Sequence, residues 1–373
     1  MIDTSALRLE VRGFLAQARA GGMYVPRPDS WLSGVSHEFS LALGRRGWIG
    51  LNWPTRYGGR DRSELERHAI TEELLAAGAP VALHWIAQRQ TGPLLLRYGT
   101  EAQRQRFLPA IAKGECYFAI GMSEPGAGSD LAAVQTRADR VPGGWKVNGR
   151  KVWTSNAQHS QFAITLCRSA VRTEKRHQGL SQLMVDLAAT GVSIRTIRML
   201  TGEAHFAEVV LDDVFVPDEM LIGEEGNGWT QVTSELALER SGPERFFSVM
   251  PLLLELVRAI GKSPDDDEAE MLGLLTARLV SLRRMSVRMA DAIAGGNSGL
   301  ATEAALVKDQ GTRFEQDAVE VIRHHLGREL DPGGTDRLEL MLAQAVAAAP
   351  AFTLRGGTNE ILRGIVARSL DLA

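Results

Sequence analysis

Hydrophobic positions divide the chain into three stretches with different periods. From residue 2 to about residue 114, apolar residues recur every three or four positions between Gly and Pro breaks, which predicts helices. Between about residues 115 and 223 the apolar residues form short β-branched runs, and helical spacing returns from Trp229 to the end. This order predicts an α+β chain with domains at residues 1–114, 115–223 and 224–373.

The middle stretch predicts a small antiparallel sheet or barrel. Residues 145–147 and 150–153 flank Asn148-Gly149, a dipeptide typical of the two-residue turn of a β-hairpin. We therefore expect a hairpin with its turn at these two residues. Further strands are predicted at residues 162–166, 183–187, 192–197 and 209–216.

Composition places the chain among ordinary globular proteins. Its 373 residues are 44% hydrophobic and 23% charged, which excludes a disordered or collagen-like chain and leaves room for two or three domains. Cys116 and Cys167 are the only cysteines, and they lack the spacing of a zinc site or a redox motif. Two thiols in so long a chain favour a reducing compartment.

Charge and hydropathy narrow the class of partner. The formal net charge of −3 lacks the basic excess of a nucleic-acid-binding protein. Residues 1–20 mix charges into their apolar positions, so they predict an amphipathic helix and not a signal peptide, and no segment approaches the roughly 20 apolar residues that span a bilayer. We expect a cytoplasmic protein whose partners are small molecules or other proteins, with no membrane or nucleic acid among them.

The Gly-rich stretch IGMSEPGAGSD at residues 120–130 is the first candidate site. Its hydroxyls and backbone donors could line a polar cofactor, although it matches neither a phosphate-loop consensus nor the dinucleotide fingerprint. Taken alone it is also compatible with a plain turn. About 20 residues later comes KVWTSN, on the far arm of the predicted hairpin.

Five motifs in order carry a family resemblance: SEPGAGSD, NGRKVWTSNA, FAEVVLDDVFVP, EEGNGW and RGGTNEILRGIVARS. Together they resemble the acyl-CoA dehydrogenase family of flavoproteins over nearly the whole chain. The resemblance implies an N-terminal helical domain, a middle antiparallel β-barrel or sheet domain, and a C-terminal four-helix-bundle domain. It also implies FAD as cofactor, α,β-dehydrogenation of an acyl-CoA thioester to the trans-2-enoyl-CoA, and reoxidation by an electron-transferring flavoprotein.

The resemblance also assigns flavin and substrate contacts. Residues 120–129 would lie along the flavin, with Ser129 towards the coenzyme A moiety. Ser155 would take the place of a Thr that usually faces flavin N5. The remaining residues implied for the cofactor are Ile120, Met122, Ser123, Gly128, Trp153, Thr154, Thr358 and Glu360. For Trp153, a half-buried strand aromatic is the structural alternative.

The reaction needs a carboxylate to remove the α proton, and burial suits that role by raising the carboxyl pKa. Many members carry the base in a C-terminal Glu-Gly-Thr, but this chain has Gly356 at that position. A branch of the family carries a helix-borne Glu immediately before an Arg, which Glu239-Arg240 resembles. Glu239 is then the expected base, and Arg240 would order the helix or bind coenzyme A.

Glu244 is the rival base. Residues 241–244, Ser-Gly-Pro-Glu, also fit a capping box, in which Ser and Glu satisfy free helix-terminal amides and Pro occupies the first turn. The sequence leaves the choice between Glu239 and Glu244 open.

Two regions depart from the family pattern. Family homotetramers usually complete a neighbour's FAD site with an Arg-x-x-Phe-Gly segment and a later Gly-Gly loop, where this chain reads GKSPDDDEAEMLGLLTARL and HHLGRELDPGGTDRL. The resemblance then implies that half of the adenine site is missing from this chain, a pattern similar to the shortened subunits of bacterial heterotetramers that act on steroid-derived acyl-CoAs. Both a homotetramer and a heterotetramer with a second acyl-CoA dehydrogenase-like subunit stay open.

Other readings stay beside this one. A non-catalytic subunit that completes a partner's flavin site is favoured by the missing segment and disfavoured by Glu239. A flavin oxidase or monooxygenase is disfavoured because Ser129 and the carboxylate are both present. His324 and His325 point about 100° apart on a helix, so no metal is predicted, and His84 reads as a helix-core or interface residue. The acyl group, whether straight, branched or steroid-derived, is not selected.

Overall fold

The structure, a computed structural model, describes residues 3–171, 174–297, 300–327, 329–331 and 333–372, without the side chains of residues 235–239. Two compact units divide the chain. One, here called the helical unit, comprises Met1–Gly34, Arg62–Pro80 and Ala237–Ala373. The other, the sheet unit, comprises Val35–Asp61 and Val81–Leu236. The domain boundaries expected at residues 114 and 223 remain a prediction.

Helices occupy both ends of the chain, as the apolar spacing predicts. In chain order they are α1 (Ser5–Ala20), α2 (Ser30–Ser33), α3 (His37–Arg46), α4 (Glu64–Ala76), α5 (Ala82–Ile86), α6 (Gly92–Tyr98), α7 (Glu101–Ala112), α8 (Gly228–Glu239), α9 (Met250–Ile260), α10 (Asp266–Ala294), α11 (Ala301–Leu326), α12 (Arg337–Phe352) and α13 (Asn359–Ser369). None of the described helices is long and apolar enough to cross a membrane.

Helix α11 is central to the core of the helical unit. It packs against α10, α12 and α13. Phe314, Ala318 and Ile322 are fully buried at four-residue intervals along it, which places one continuous face in the core. Lys308 and Glu315 are also fully buried on α11, so this core contains charged side chains as well as apolar ones.

The sheet unit contains a seven-stranded sheet in the order β1-β4-β2-β3-β7-β6, with β5 also paired to β4. Its strands are β1 (Phe118–Gly121), β2 (Arg137–Val141), β3 (Gly144–Ser155), β4 (Phe162–Arg168), β5 (Leu180–Asp186), β6 (Val192–Ile197) and β7 (Phe206–Pro217). The predicted strand runs at residues 162–166, 192–197 and 209–216 lie in strands of this sheet, and the run at 183–187 does so except for Leu187, which follows the end of β5. Most pairs are antiparallel as expected, whereas β1 and β2 pair with β4 in parallel.

The predicted hairpin turn at Asn148-Gly149 is wrong. Strand β3 runs straight through this dipeptide, and the turn between β2 and β3 falls at Pro142-Gly143, where Gly143 has φ +79°. Gly149 instead lies at a register shift against β7, and a Cβ there would stand 2.7 Å from the Cα of Thr136. The glycine therefore serves a close backbone approach inside the sheet.

Candidate functional site

The Gly-rich turn, residues 122–130, follows β1 directly. Glu124 and Ala127 exchange both backbone hydrogen bonds, at 2.9 and 3.0 Å. Ala127 is buried in an apolar cluster of the sheet unit, whereas Gly126 and Gly128 are exposed and a Cβ on either would meet nothing within 4 Å. The turn is thus anchored by one small buried side chain, and its glycines leave its outer side open for a ligand to approach.

A buried ion pair fixes this turn to β3. Lys151 Nζ donates to Glu124 Oε1 at 2.8 Å and to the Met122 carbonyl at 3.1 Å, and both charged side chains are buried. The Glu124 carboxylate also accepts the backbone N–H groups of Gln135 at 2.7 Å and Thr136 at 2.9 Å. Such complete pairing is what a buried charge requires.

The surroundings of this ion pair favour the ionised form of the Glu124 carboxyl. Burial alone would raise the pKa of Glu124, but the Lys151 cation and the hydrogen bonds hold that pKa below its usual value. Burial lowers the pKa of Lys151. Sequence reasoning missed both residues, although alternation from Trp145 through Val147 already places Lys151 on the inward face of β3.

Next to the ion pair, β3 contains a bulge that displays Trp153. Lys151 pairs with Val209 and Thr154 with Ala207, so two residues of β3 oppose the single Glu208 of β7. Trp153 has φ +60°, a rare conformation for an aromatic residue, and its side chain is 53% exposed. Bulges redirect side chains, and this one turns an apolar ring outward from a sheet.

The residues around the bulge fit a planar, polar cofactor such as a flavin. Thr154 is fully buried, and its Oγ1 has no hydrogen-bond partner among the described residues, which is costly unless a bound group completes it. Ser155 is half-buried, and the Val152 N–H donates to the Ser123 carbonyl at 2.9 Å. The Gly-rich turn and the Trp-Thr-Ser segment, predicted separately, are thus adjacent in the sheet unit.

The remaining predicted flavin residues of this unit are accessible to different degrees. Ile120, Met122 and Ser123 are partly exposed, and Gly128 and Ser129 are exposed. These residues can meet a ligand without rearrangement of the core.

In the helical unit, residues 353–358 form a turn between α12 and α13, here called the Arg-Gly-Gly turn. Thr358 is the N-cap of α13, and its Oγ1 accepts the Ile361 N–H at 3.4 Å. Hydrogen bonds at this helix start, from its own backbone amide and from Thr358, lower the pKa of the Glu360 carboxyl. The predicted Gly-Gly-Thr before a helix is confirmed as a helix start, a position that suits phosphate groups.

Two arginines pack against the Arg-Gly-Gly turn. Arg240 is buried and its Nε donates to the Gly356 carbonyl at 3.0 Å. A Cβ on Gly356 would stand 2.9 Å from Arg245 Nη2, and Gly356 has φ +71°. A Glu at this position, where the resemblance places the base of many family members, would need a left-handed backbone conformation and a shift of the buried Arg245 guanidinium.

The two candidate bases lie close together in sequence. Glu239 is the last residue of α8, and its side chain lies outside the described residues. Glu244 is buried within the short 3₁₀ helix Pro243–Arg245.

The expected capping box at residues 241–244 is wrong. The turn has Gly242, not Ser241, as its N-cap, because Pro243 occupies its first position. The Ser241 carbonyl instead accepts the Ser286 hydroxyl at 2.7 Å.

The first region that departs from the family pattern is acidic. Asp265 caps α10 and forms a capping box with Glu268, and Asp266 and Asp267 complete the first turn. These carboxylates occupy the positive end of the helix. The second region contains Arg328 and Pro332, which lie outside the described residues.

His84 and His324 behave as ordinary structural residues. His84 is buried beside the Ser40 hydroxyl at 2.9 Å, and burial lowers its pKa to about 3, so it is a neutral core histidine as predicted. His324 is exposed and contacts the Glu320 carbonyl of its own helix at 2.7 Å. No group of three or more His, Cys, Asp or Glu side chains among the described residues could hold a metal ion.

Two family models match this chain. Residues 3–115 match the acyl-CoA dehydrogenase N-terminal domain and residues 119–214 match the middle domain. Acyl-CoA dehydrogenase IpdE1 of Mycobacterium tuberculosis is 33% identical over 98% of this chain and 97% of its own length. FadE34 of the same organism is 34% identical over 88% of this chain. The matched region covers only 45% of FadE34, which is a longer protein.

A solved structure shows the same fold. The crystal structure of the ChsE4-ChsE5 complex from Mycobacterium tuberculosis has a chain that is 30% identical, with a TM-score of 0.83 over 100% of this chain and 99% of that chain. Helices, sheet and helices follow in the order that the resemblance implies. The chain belongs to the acyl-CoA dehydrogenase family.

Proposed function

We propose that this chain is an FAD-dependent acyl-CoA dehydrogenase that converts an acyl-CoA thioester to the trans-2-enoyl-CoA. The observation that carries the proposal is the outward Trp153 beside the buried Thr154 hydroxyl, which has no hydrogen-bond partner in the described part of the chain, next to an anchored Gly-rich turn. A bound flavin would supply the acceptor for the β-hydride at N5. The chain's own residues bind and orient cofactor and substrate and move the α proton.

The binding roles follow the two units. Ile120, Met122, Ser123 and Gly128 would line the flavin, with Ser129 directed to coenzyme A. Trp153, Thr154 and Ser155 would cover the ring on its other side, where the Trp153 ring excludes water and the hydroxyls donate. Thr358 and Glu360, at the start of α13, would meet the ribityl or diphosphate portion.

Glu239 would remove the α proton. Gly356 cannot be the base, because it has no side chain. Arg240 directly follows Glu239 and is bound to the Gly356 carbonyl, which restrains the end of α8. Glu244 is the second candidate, since it is a buried carboxylate five residues further along.

The acidic start of α10 supports a heteromeric assembly. Three aspartates and a glutamate stand where the family homotetramers carry a cationic segment for a neighbour's FAD, and carboxylates repel a diphosphate. A second acyl-CoA dehydrogenase-like subunit would then complete the site, as two named components form the ChsE4-ChsE5 complex. An electron-transferring flavoprotein would reoxidise the flavin, and the cytoplasm remains the expected location.

The test is a visible absorption spectrum of the chain, alone and with candidate partner subunits, followed by anaerobic addition of acyl-CoAs. The wild type should bleach the flavin band. Glu239→Gln should slow bleaching by about 10²–10⁴-fold, because the base is lost. Glu244→Gln, the matched control, should bleach at a rate close to that of the wild type.

Other outcomes identify the alternatives. Slow bleaching only in Glu244→Gln would transfer the role of base to that residue. Rapid reoxidation by oxygen would favour an oxidase or monooxygenase. A chain that stays colourless in every combination would favour the non-catalytic subunit, and full FAD occupancy in a homotetramer of this chain would contradict the heteromer.

A further inference from the structure

Lys308, a residue of α11, joins the two ends of the Arg-Gly-Gly turn. Its Nζ donates to the Thr353 carbonyl at 3.0 Å, where α12 has just ended, and to Asn359 Oδ1 at 2.7 Å, where α13 begins. The side chain is fully buried. A single amino group thus spans the turn that contains Arg355, Gly356, Gly357 and Thr358.

The surroundings of Lys308 are unusual for a buried amine. Among the described residues, no carboxylate oxygen lies within salt-bridge distance of Nζ. The charged groups that act on it are Arg245, Arg355 and Arg240, which are cations, and Asp309 on its own helix. Burial and the three arginines lower the pKa of Lys308 to about 7. Glu360 of α13 in turn has its pKa lowered in part by Lys308.

A hydrophobic residue at position 308 would pack in the core of α11 without the free-energy cost of burying an amine. It would, however, leave the Thr353 carbonyl without the Lys308 donor, and Asn359 Oδ1 with only the Thr312 hydroxyl at 3.2 Å. Helix α13 would stay attached to α11, because Arg363 Nε donates to Asp309 Oδ1 at 3.0 Å. What Lys308 adds is therefore control of the turn, separate from the attachment of the helix.

We propose that Lys308 is a positioning residue that holds the Arg-Gly-Gly turn in the conformation that receives the diphosphate-bearing cofactor. This inference rests on the proposed function for the direction of the turn towards FAD. The amine keeps at least two N–H groups whether or not it is protonated, so it spans the turn in both states. Protonation adds a positive charge beside the turn, which attracts a diphosphate.

The first test uses the flavin-free chain, so it does not depend on cofactor binding. Lys308→Met should raise hydrogen–deuterium exchange at residues 354–361 by about 10-fold, with exchange in the sheet unit unchanged. Lys262→Met, the same change at an exposed lysine of the helical unit, is the control. Unchanged exchange at residues 354–361 in Lys308→Met would overturn the proposal.

Asn359→Leu provides a second variant should Lys308→Met fail to fold. It removes the acceptor from the other side and should loosen the same segment. In the double variant the two effects should be less than additive, because both changes break one hydrogen bond. Fully additive effects would mean that the bond between them does not hold the turn.

The second test measures FAD affinity by flavin fluorescence between pH 6 and pH 8. We expect the wild type and Lys262→Met to bind about three- to tenfold more tightly at pH 6, when Lys308 is protonated. Lys308→Met should lose this pH dependence, whereas Glu315→Gln, which removes the other group of the helical unit with a pKa near 7, should keep it. Altered exchange with unaltered affinity and pH dependence would overturn the role towards the cofactor. A chain that binds no FAD either alone or with candidate partner subunits contradicts the proposed function and leaves the exchange test standing.

Discussion

Each unit contains one glycine-containing turn among its candidate cofactor-binding residues, and the two turns are held by opposite electrostatic means. The Gly-rich turn contains its own carboxylate, Glu124, and a single lysine from β3 neutralises it. The Arg-Gly-Gly turn offers mainly backbone carbonyls, and cations hold it: Arg240 at Gly356, and Lys308 at Thr353. A turn held by a balanced pair carries little charge towards a ligand, whereas a turn held by cations remains suited to an anion.

Asp29 neutralises one cation of the Arg-Gly-Gly turn, Arg355. Its carboxylate accepts Arg355 Nη1 at 2.7 and 2.9 Å, and the Arg355 guanidinium lies 4.5 Å from the Trp31 ring centroid. Arg355 is thereby paired. Arg240 and Lys308 contact backbone carbonyls of the turn and not a carboxylate within it, which is the difference from the ion-paired Gly-rich turn.

The largest effect should come from unbalancing the Gly-rich turn. Lys151→Met leaves the buried Glu124 carboxylate without its cation, and we expect the free energy of unfolding to fall by about 3–5 kcal/mol. Urea denaturation measures the loss. The double variant Glu124→Gln with Lys151→Met should recover part of it, since the buried charge is gone and the amide oxygen can still accept one of the N–H groups of Gln135 and Thr136. No recovery would show that Lys151 acts through packing alone.

A smaller effect should follow from crowding the other turn. Gly356→Glu adds a side chain at φ +71° against Arg245, and we expect a loss of about 2–4 kcal/mol. Gly296→Glu is the control, because Gly296 has φ +80° and open space around it, so it isolates the backbone cost of about 1 kcal/mol. Equal losses in thermal unfolding would mean that Arg245 yields freely.

Gly356→Glu also tests the choice of base. Introduced into Glu239→Gln, it should not restore flavin bleaching by acyl-CoA, because the crowded turn cannot present a carboxylate. Restored bleaching would show that position 356 accepts a base after all.

The third effect is a dependence of the stability of the helical unit on pH. Burial raises the pKa of Glu315, a residue of the helical unit, to about 7, although Arg355 and the hydrogen bonds from Ser248 oppose the rise. A carboxyl with a raised pKa in the folded state stabilises the fold at low pH, and this contribution is lost as pH rises from its ordinary value of 4.5 through 7. The helical unit should therefore lose stability over this range.

Glu315→Gln should reduce that dependence and stabilise the chain at pH 8 by roughly 1–3 kcal/mol, as the amide can still accept the Ser248 N–H. Thermal unfolding at several pH values would show it. A wild-type midpoint that does not fall between pH 5 and pH 8 relative to Glu315→Gln would contradict the prediction.

The period of the apolar residues predicted the helices and strands well where one face of the element is buried and the other is exposed. Strand β6 occupies residues 192–197 as expected, and helical spacing identified both ends of the chain. The hairpin prediction at Asn148-Gly149 was wrong because a dipeptide typical of turns also occurs at a bulge inside a strand. Strand β3 pairs with β2 on one edge and with β7 on the other. Local sequence does not reveal the second partner.

The sequence predicted the site residues that lie in contiguous motifs but not the residues that hold those motifs in place. Motifs identified the Gly-rich turn, the Trp-Thr-Ser segment and the Arg-Gly-Gly turn, because each is contiguous in sequence. The groups that hold them were not predictable: Glu124 and Lys151 are 27 residues apart, and Lys308 and Asn359 are 51 apart. Their pairing depends on the fold, which no local pattern contains.

The discontinuous helical unit has a consequence for synthesis on the ribosome. Residues Met1–Gly34 and Arg62–Pro80 belong with Ala237–Ala373, so the whole of Val81–Leu236 must be translated first. At typical elongation rates this delay is on the order of ten seconds or more. During that interval α4 lacks α9 and α10, the later helices that it packs against, and the surface that they cover is exposed to chaperones. The chain should therefore depend on chaperone supply during expression more strongly than a protein of equal size with contiguous domains.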